Sequence, residues 1–167
     1  MREIVLIAHD IRSAHNVGSL LRTADGFGVK HVYLTGYTPY PTKANDDRLP
    51  HLSTKLTKQI SKTALGAETD NGLWTHHDEI LTLLDELRAD KYIIVGLEQA
   101  KNSIQLPEFN PTGKVAILLG REVEGVEPEL LKLCHMTIEI PMFGNKESFN
   151  VIEAATAIIY HCRFHPF

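Results

Sequence analysis

A chain of 167 residues with 43% hydrophobic and 23% charged content has the size and composition of one globular domain with a substantial core. No apolar run approaches the roughly 18 residues that a membrane span needs, and the apolar stretch after Met1 and Arg2, broken by His9 and Asp10, reads as a first strand and not as a signal peptide. A net charge of −4, from 17 basic and 21 acidic residues, is unlike proteins that hold nucleic acid by phosphate contacts alone, so any RNA binding has to come from a local patch.

Residues 3–8 read as the first strand. Val17, Leu20, Leu21, Ala24 and Phe27 recur at helical spacing and predict a helix, with Gly26 and Gly28 near its end. Residues 31–34 form a second short strand, and residues 36–47, rich in Pro, Tyr and Asn, form a loop. A helix is predicted over 53–63, with Lys55, Lys58 and Lys62 on one face and Leu52, Leu56 and Ile60 on another. With Lys43 and Arg48 against Asp46 and Asp47, residues 43–62 make the best local basic patch. A plain solvated face accounts for it equally well. His76, His77 and Asp78 read as a solvated loop, not a metal fragment, and no metal site is expected.

Residues 78–88 are helical, with Ile80, Leu83, Leu84 and Leu87 inward. The runs 92–97, 115–119 and 136–140 are continuously apolar, as in strands covered on both faces. Val126, Glu127 and Pro128 begin a short helix. Ser148 is expected to cap and open the last helix, along which Val151, Ala154, Ala155, Ile158, Ile159 and Cys162 repeat. Cys134 and Cys162 have no CxxC spacing and read as reduced core thiols of a cytoplasmic protein.

This alternation predicts one α/β domain over residues 1–167, with a mainly parallel sheet, helices on both faces and no separate RNA-binding domain. Ligands of such sheets bind beyond the carboxyl ends of the strands. Of three polar, glycine- or proline-bearing segments, the first, Asn16-Val17-Gly18 running to Arg22-Thr23-Ala24, precedes a helix in the loop after strand one, while Gly120-Arg121-Glu122-Val123-Glu124-Gly125 and Ile140-Pro141-Met142-Phe143-Gly144 running to Ser148-Phe149-Asn150-Val151 fall there. The second is neither a P-loop nor a dinucleotide fingerprint, and its glutamates would repel a pyrophosphate. A carboxylate-bearing turn suits a ligand with hydroxyl and ammonium groups. Taken singly, each segment is equally well read as turn and cap chemistry: Asn16 as a helix cap, Arg22 as a surface charge, and Asn150 as an ordinary first-turn residue.

Taken together and in this order, the segments resemble the three motifs of the SpoU/TrmH family of RNA ribose 2′-O-methyltransferases, of the SPOUT superfamily. The resemblance covers nearly the whole chain, with Phe149 standing where leucine or methionine is usual. It implies a C-terminal deep trefoil knot, which pattern reading would not propose because knots are nearly absent from proteins. It also implies S-adenosylmethionine as cofactor, contacted by Leu97, Gly120, Ile140, Met142, Ser148 and Phe149.

The implied reaction is methylation of a ribose 2′-hydroxyl in tRNA or rRNA. Asn16, Arg22, Glu124 and Asn150 form the implied catalytic set, with Asn16 orienting Arg22 or the ribose and Glu124 fixing that pair. A guanidinium is effectively always protonated. Arg22 is therefore expected to hold the phosphate and the 2′-oxygen, while a phosphate or water takes the proton. Arg12, Lys55, Lys58 and Lys62 are expected to meet the RNA. The family implies a homodimer with motif-one residues near the partner's cofactor site, joined through exposed apolar faces of the first and last helices. The other reading is a non-catalytic RNA-binding or partner-dependent subunit that keeps the fold, motivated by the acidic charge.

Overall fold

The computed structural model describes residues 1–70 and 72–165. Its strands are β1 (Ile4–His9), β2 (His31–Thr35), β3 (Trp74–His77), β4 (Tyr92–Leu97), β5 (Ile104–Gln105), β6 (Lys114–Leu119) and β7 (Met136–Glu139). They form one 7-stranded sheet in the order β3-β2-β1-β6-β4-β7-β5, and every pair is parallel. Successive strand side chains point to opposite faces. Both faces of the central strands are therefore apolar: Ile4, Leu6 and Ala8 of β1 enter one buried layer, and Val5 and Ile7 the other.

Helices α1 (Ala14–Gly26), α2 (Pro50–Ala64) and α5 (Val151–Phe164) supply the first layer through Val17, Leu20 and Leu21, Ile60 and Ala64, and Ile158 and Ile159. Helices α3 (Ile80–Ala89) and α4 (Pro128–Leu131) supply the second through Leu83, Leu84, Leu87 and Leu130. Each such side chain contributes about 1.5–3 kcal/mol of burial. The expected α/β class, parallel sheet and two-sided helical cover are all present.

Two expectations are corrected, and one strand is new. Residues 76–77 close strand β3 and are not a solvated loop: His76 packs 4.0 Å from the Tyr40 ring and its Nε2 lies 3.2 Å from the Gly36 carbonyl oxygen. The polar sequence of β3 hides a short strand at the edge of the sheet. Two-residue β5, at the other edge and exposed, was likewise not anticipated. Ser148 does not open the last helix; Asn150 caps it, its Oδ1 accepting from the Ile152 amide at 2.8 Å, while Glu153 reaches back to the Asn150 amide.

The exposed face of α1 carries His15 and Arg22 and is polar, because its apolar face is buried beneath α2 and against α5. Of the first and last helices, α5 shows large apolar groups to solvent, Tyr160 and Phe164. Both thiols are inert at neutral pH: burial raises Cys134 to about 11 and Cys162 to about 12.

α1 and α2 touch backbone to backbone at Gly18. A Cβ there would stand 2.2 Å from the Ile60 carbonyl oxygen and 2.2 Å from Thr63 Oγ1. Gly→Ala inside a helix ordinarily stabilises by roughly 0.5–1 kcal/mol, but contact with a backbone oxygen outweighs that gain. Gly18→Ala is expected to destabilise by about 1–3 kcal/mol, seen as a fall of roughly 2–12 °C in melting temperature. An unchanged or higher melting temperature would show that the two helices do not meet so closely.

Candidate active site

β1 and β6 are neighbours at the centre of the sheet, with β2 and β3 on one side and β4, β7 and β5 on the other. Their carboxyl ends therefore lie side by side at the topological switch point, where parallel sheets bind ligands. The loop after β1 leads into α1, whose N-cap is Ser13; its Oγ accepts from the Asn16 amide at 3.2 Å. After β6 the chain folds at once into a tight hairpin, with Arg121 and Gly125 exchanging two backbone hydrogen bonds of 3.1 Å. This needs a glycine at 120: a Cβ would lie 2.4 Å from the Gly125 carbonyl and the Val126 nitrogen.

The hairpin is held from two sides. Glu122 accepts from the Arg12 amide (3.1 Å), the Ser13 amide (3.0 Å) and Asn16 Nδ2 (3.0 Å). Burial pushes the Glu122 carboxyl up, but these hydrogen bonds together outweigh it and hold the group below its usual range. The helix N-terminus adds favourable charge of its own. On the far side Glu98, just after β4, accepts from the Val126 amide at 2.8 Å and from the Gln99 amide at 2.9 Å. Gln99 Nε2 in turn donates to the Glu147 carbonyl oxygen at 2.8 Å, tying the third segment to the same place.

Between hairpin and third segment lies a cleft of about 280 Å³. Five of the six expected cofactor contacts line it: Leu97, Gly120, Ile140, Ser148 and Phe149. Met142 is half-buried and does not line it. Glu124 does, but its partner is Arg12, 3.0 Å away, and not the Asn16–Arg22 pair. Glu122 holds Asn16 instead. Asn150 is engaged as the cap of α5.

Arg22 is exposed. Six residues beyond Asn16, it sits about 9 Å farther along α1 and on a different face, so within one chain the two do not converge. Arg12, Lys55, Lys58 and Lys62 are all exposed outside the cleft. Sequence reasoning missed Glu98 and Gln99 as site residues, although their place at the carboxyl end of an apolar strand was a usable signal.

The chemistry of the cleft is polarised. Apolar side chains of Leu97, Ile138, Ile140, Phe149 and Val151 face carboxylates of Glu98, Glu122, Glu124 and Glu139. Such a site favours a flat apolar group joined to hydroxyls and a cationic centre, and disfavours phosphates.

Glu122→Ala leaves two amides and Asn16 without their acceptor, at a cost of about 1–3 kcal/mol. Because the folded-state carboxyl titrates below its unfolded range, its stabilising effect is full above roughly pH 4.3 and fades as pH falls through the folded value. The melting-temperature gap between wild type and Glu122→Gln is therefore expected to be largest at neutral pH and smaller at an acid pH below the unfolded carboxylate range. A gap of equal size at both pH values would remove the charge from the account.

The chain matches the SpoU rRNA Methylase family over residues 3–160. A tRNA (guanosine(18)-2′-O)-methyltransferase of Aquifex aeolicus is 25% identical over 162 residues, covering 97% of this chain and 69% of that protein. The crystal structure of the A. aeolicus TrmH/SpoU tRNA modifying enzyme superposes with a TM-score of 0.78 at 23% identity, covering 98% of this chain and 75% of that one. The SpoU methyltransferase AviRb from Streptomyces viridochromogenes, in complex with the cofactor AdoMet, gives 0.74 at 24% identity, with 98% and 58% covered. With motifs, sheet order and cleft in agreement over nearly its full length, the chain belongs to the SpoU rRNA Methylase family.

Proposed function

We propose that this protein is an S-adenosylmethionine-dependent methyltransferase acting on a ribose 2′-hydroxyl in tRNA or rRNA. The observation that carries this reading is the cleft itself: the second and third family motifs form its walls, and Glu122 fastens it to the first motif at Asn16. Its residues fit the cofactor. Leu97, Ile140 and Phe149 give an apolar slot for an adenine, the close backbone at Gly120 offers main-chain groups, and the surrounding carboxylates suit ribose hydroxyls and positive charge. When bound, S-adenosylmethionine supplies a methyl group activated on a sulfonium.

The residues of this chain have to bring the 2′-oxygen to the cleft and stabilise it. Arg22 keeps its proton, so its part is to grip the neighbouring RNA phosphate and hold the 2′-oxygen in place. The proton passes to a phosphate oxygen or water. Asn16, fixed by Glu122, faces the ribose. Glu124 sets Arg12, and Asn150 sets the start of α5 and with it the third motif.

The offset of Arg22 from Asn16 along α1 supports a homodimer in which each Arg22 serves the partner's cleft, and the exposed Tyr160 and Phe164 of α5 offer an apolar surface for it. A C-terminal trefoil knot fits the strand order: β7 enters between β4 and β5, which precede it in the chain. The two free, unreactive thiols fit a reducing, cytoplasmic setting.

Calorimetry with S-adenosylmethionine and tritiated methyl transfer into unmodified tRNA and rRNA test the reading. Wild type should bind the cofactor and label RNA at the 2′-position; no binding at millimolar concentration would sink it. Arg22→Ala should abolish transfer and leave cofactor affinity within about twofold, whereas equal loss of both would make Arg22 structural. Reversing Lys55, Lys58 and Lys62 to Glu should weaken RNA binding and flatten its dependence on salt. An unchanged slope would return those lysines to an ordinary solvated face.

A further inference from the structure

A second concavity opens beside the cleft, between α2 and the loop of residues 36–48, beyond the carboxyl ends of β2 and β3. Its volume, about 480 Å³, is in the range of small-ligand sites. Its floor is a stack of planar groups. The Arg48 guanidinium lies 3.5 Å from the Tyr40 ring centre, and the His76 ring centre lies 4.0 Å from that of the same Tyr40.

Arg48 is fixed by its own hydrogen bonds. It donates to Asp46 Oδ1 at 2.8 Å and to the carbonyl oxygens of Tyr40 and Pro41 at 3.0 and 3.1 Å. The floor is thus held in place by hydrogen bonds and built of planar groups, which suits a π-face. Leu56 of α2 adds an apolar wall. At the rim stands Tyr37, whose amide is tied to Asp10 Oδ1 at 3.0 Å while its side chain is left 53% exposed.

Two further observations fix what such a surface would take. α2 carries Lys55, Lys58 and Lys62 and no acidic residue, in a chain whose net charge is −4. Lys43 adds a cation 5.3 Å from the Tyr40 ring, and the nearby Asp46 is neutralised by Arg48. Aromatic rings with cations on a neighbouring helix suit single-stranded nucleic acid, bases stacking while cations follow the backbone. The second observation is position. Arg12 lines the concavity, while its guanidinium pairs with Glu124 and its amide with Glu122, both in the cleft wall. The two sites share one residue as their border.

We propose that this concavity is a nucleoside subsite for the RNA substrate, in which a base flanking the target nucleotide stacks on the exposed ring of Tyr37 while the lysines of α2 follow the strand. The assignment rests on the methyltransferase reading for the identity of the strand as substrate. It places a second contact with the strand next to the modified position.

The test uses the full chain and a fluorescently labelled single-stranded oligouridylate at fixed salt, with calorimetric cofactor affinity as the control. Tyr37→Ala should weaken oligouridylate binding between about 5-fold and 100-fold. Tyr37→Phe and Tyr37→Trp should retain it, and cofactor affinity should stay within about twofold for all three. Equal binding by wild type and Tyr37→Ala would overturn the subsite, as would a Tyr37→Phe variant as weak as Tyr37→Ala, which would mean the hydroxyl and not the ring is used. If wild type methylates RNA but Tyr37→Ala binds it normally, the subsite fails and the enzyme reading stands. If oligouridylate binding depends on the Tyr37 ring but wild type neither binds the cofactor nor transfers methyl, the enzyme reading fails and the subsite stands.

Discussion

Glu122 accepts from two backbone amides at the start of α1 and from the side chain of Asn16, and through these three hydrogen bonds the loop after β6 is joined to the loop after β1. The two loops are far apart in the chain, and they meet because β1 and β6 are paired in parallel at the centre of the sheet. A carboxylate at a helix N-terminus is favoured by the unsatisfied amides there and by the helix dipole. Its partial burial raises the value of each bond, since the alternative is an unpartnered amide. The hairpin that forms one wall of the cleft, the orientation of Asn16 and the start of α1 are all set by this one group. Glu98 acts on the other side of the hairpin in the same manner, so the wall is clamped between the ends of β4 and β1.

Charge is divided between two regions in a way the net value conceals. The cleft gathers glutamates, most of them engaged in holding loops, and it is hostile to phosphate. The helix α2 and the loop before it gather cations and aromatic rings. Arg12 stands between them, paired to Glu124. An overall acidic chain therefore keeps a local basic surface apart from its carboxylate-lined cleft.

The last helix links these regions to the rest of the molecule. Asn150 and Glu153 cap its start beside the third motif, and near its end Arg163 donates to the carbonyl oxygens of Phe27 and Gly28 at 3.0 and 2.7 Å. The same helix therefore borders the cleft, closes the turn after α1 and leaves Tyr160 and Phe164 at the surface. A displacement of α5 would be felt at all three places.

Apolar runs and helical periodicity in the sequence determined the α/β class, the central strands β1, β4, β6 and β7, and the glycine- and carboxylate-bearing loops at strand ends, because two-sided burial and backbone geometry write themselves into local residue choice. Short edge strands escaped that reading: β3 is half polar and β5 only two residues long, and neither has an apolar face to declare it. Helix capping was misassigned between Ser148 and Asn150 because both residue types cap, and only the path of the chain decides which amide is within reach. The pairing of Glu122 with Asn16, and of Glu124 with Arg12, was decided by tertiary structure alone. Two glutamates two positions apart in a hairpin are equivalent as sequence; which of them faces α1 depends on the register of β1 against β6, and a long-range hydrogen bond leaves no periodic trace in the chain.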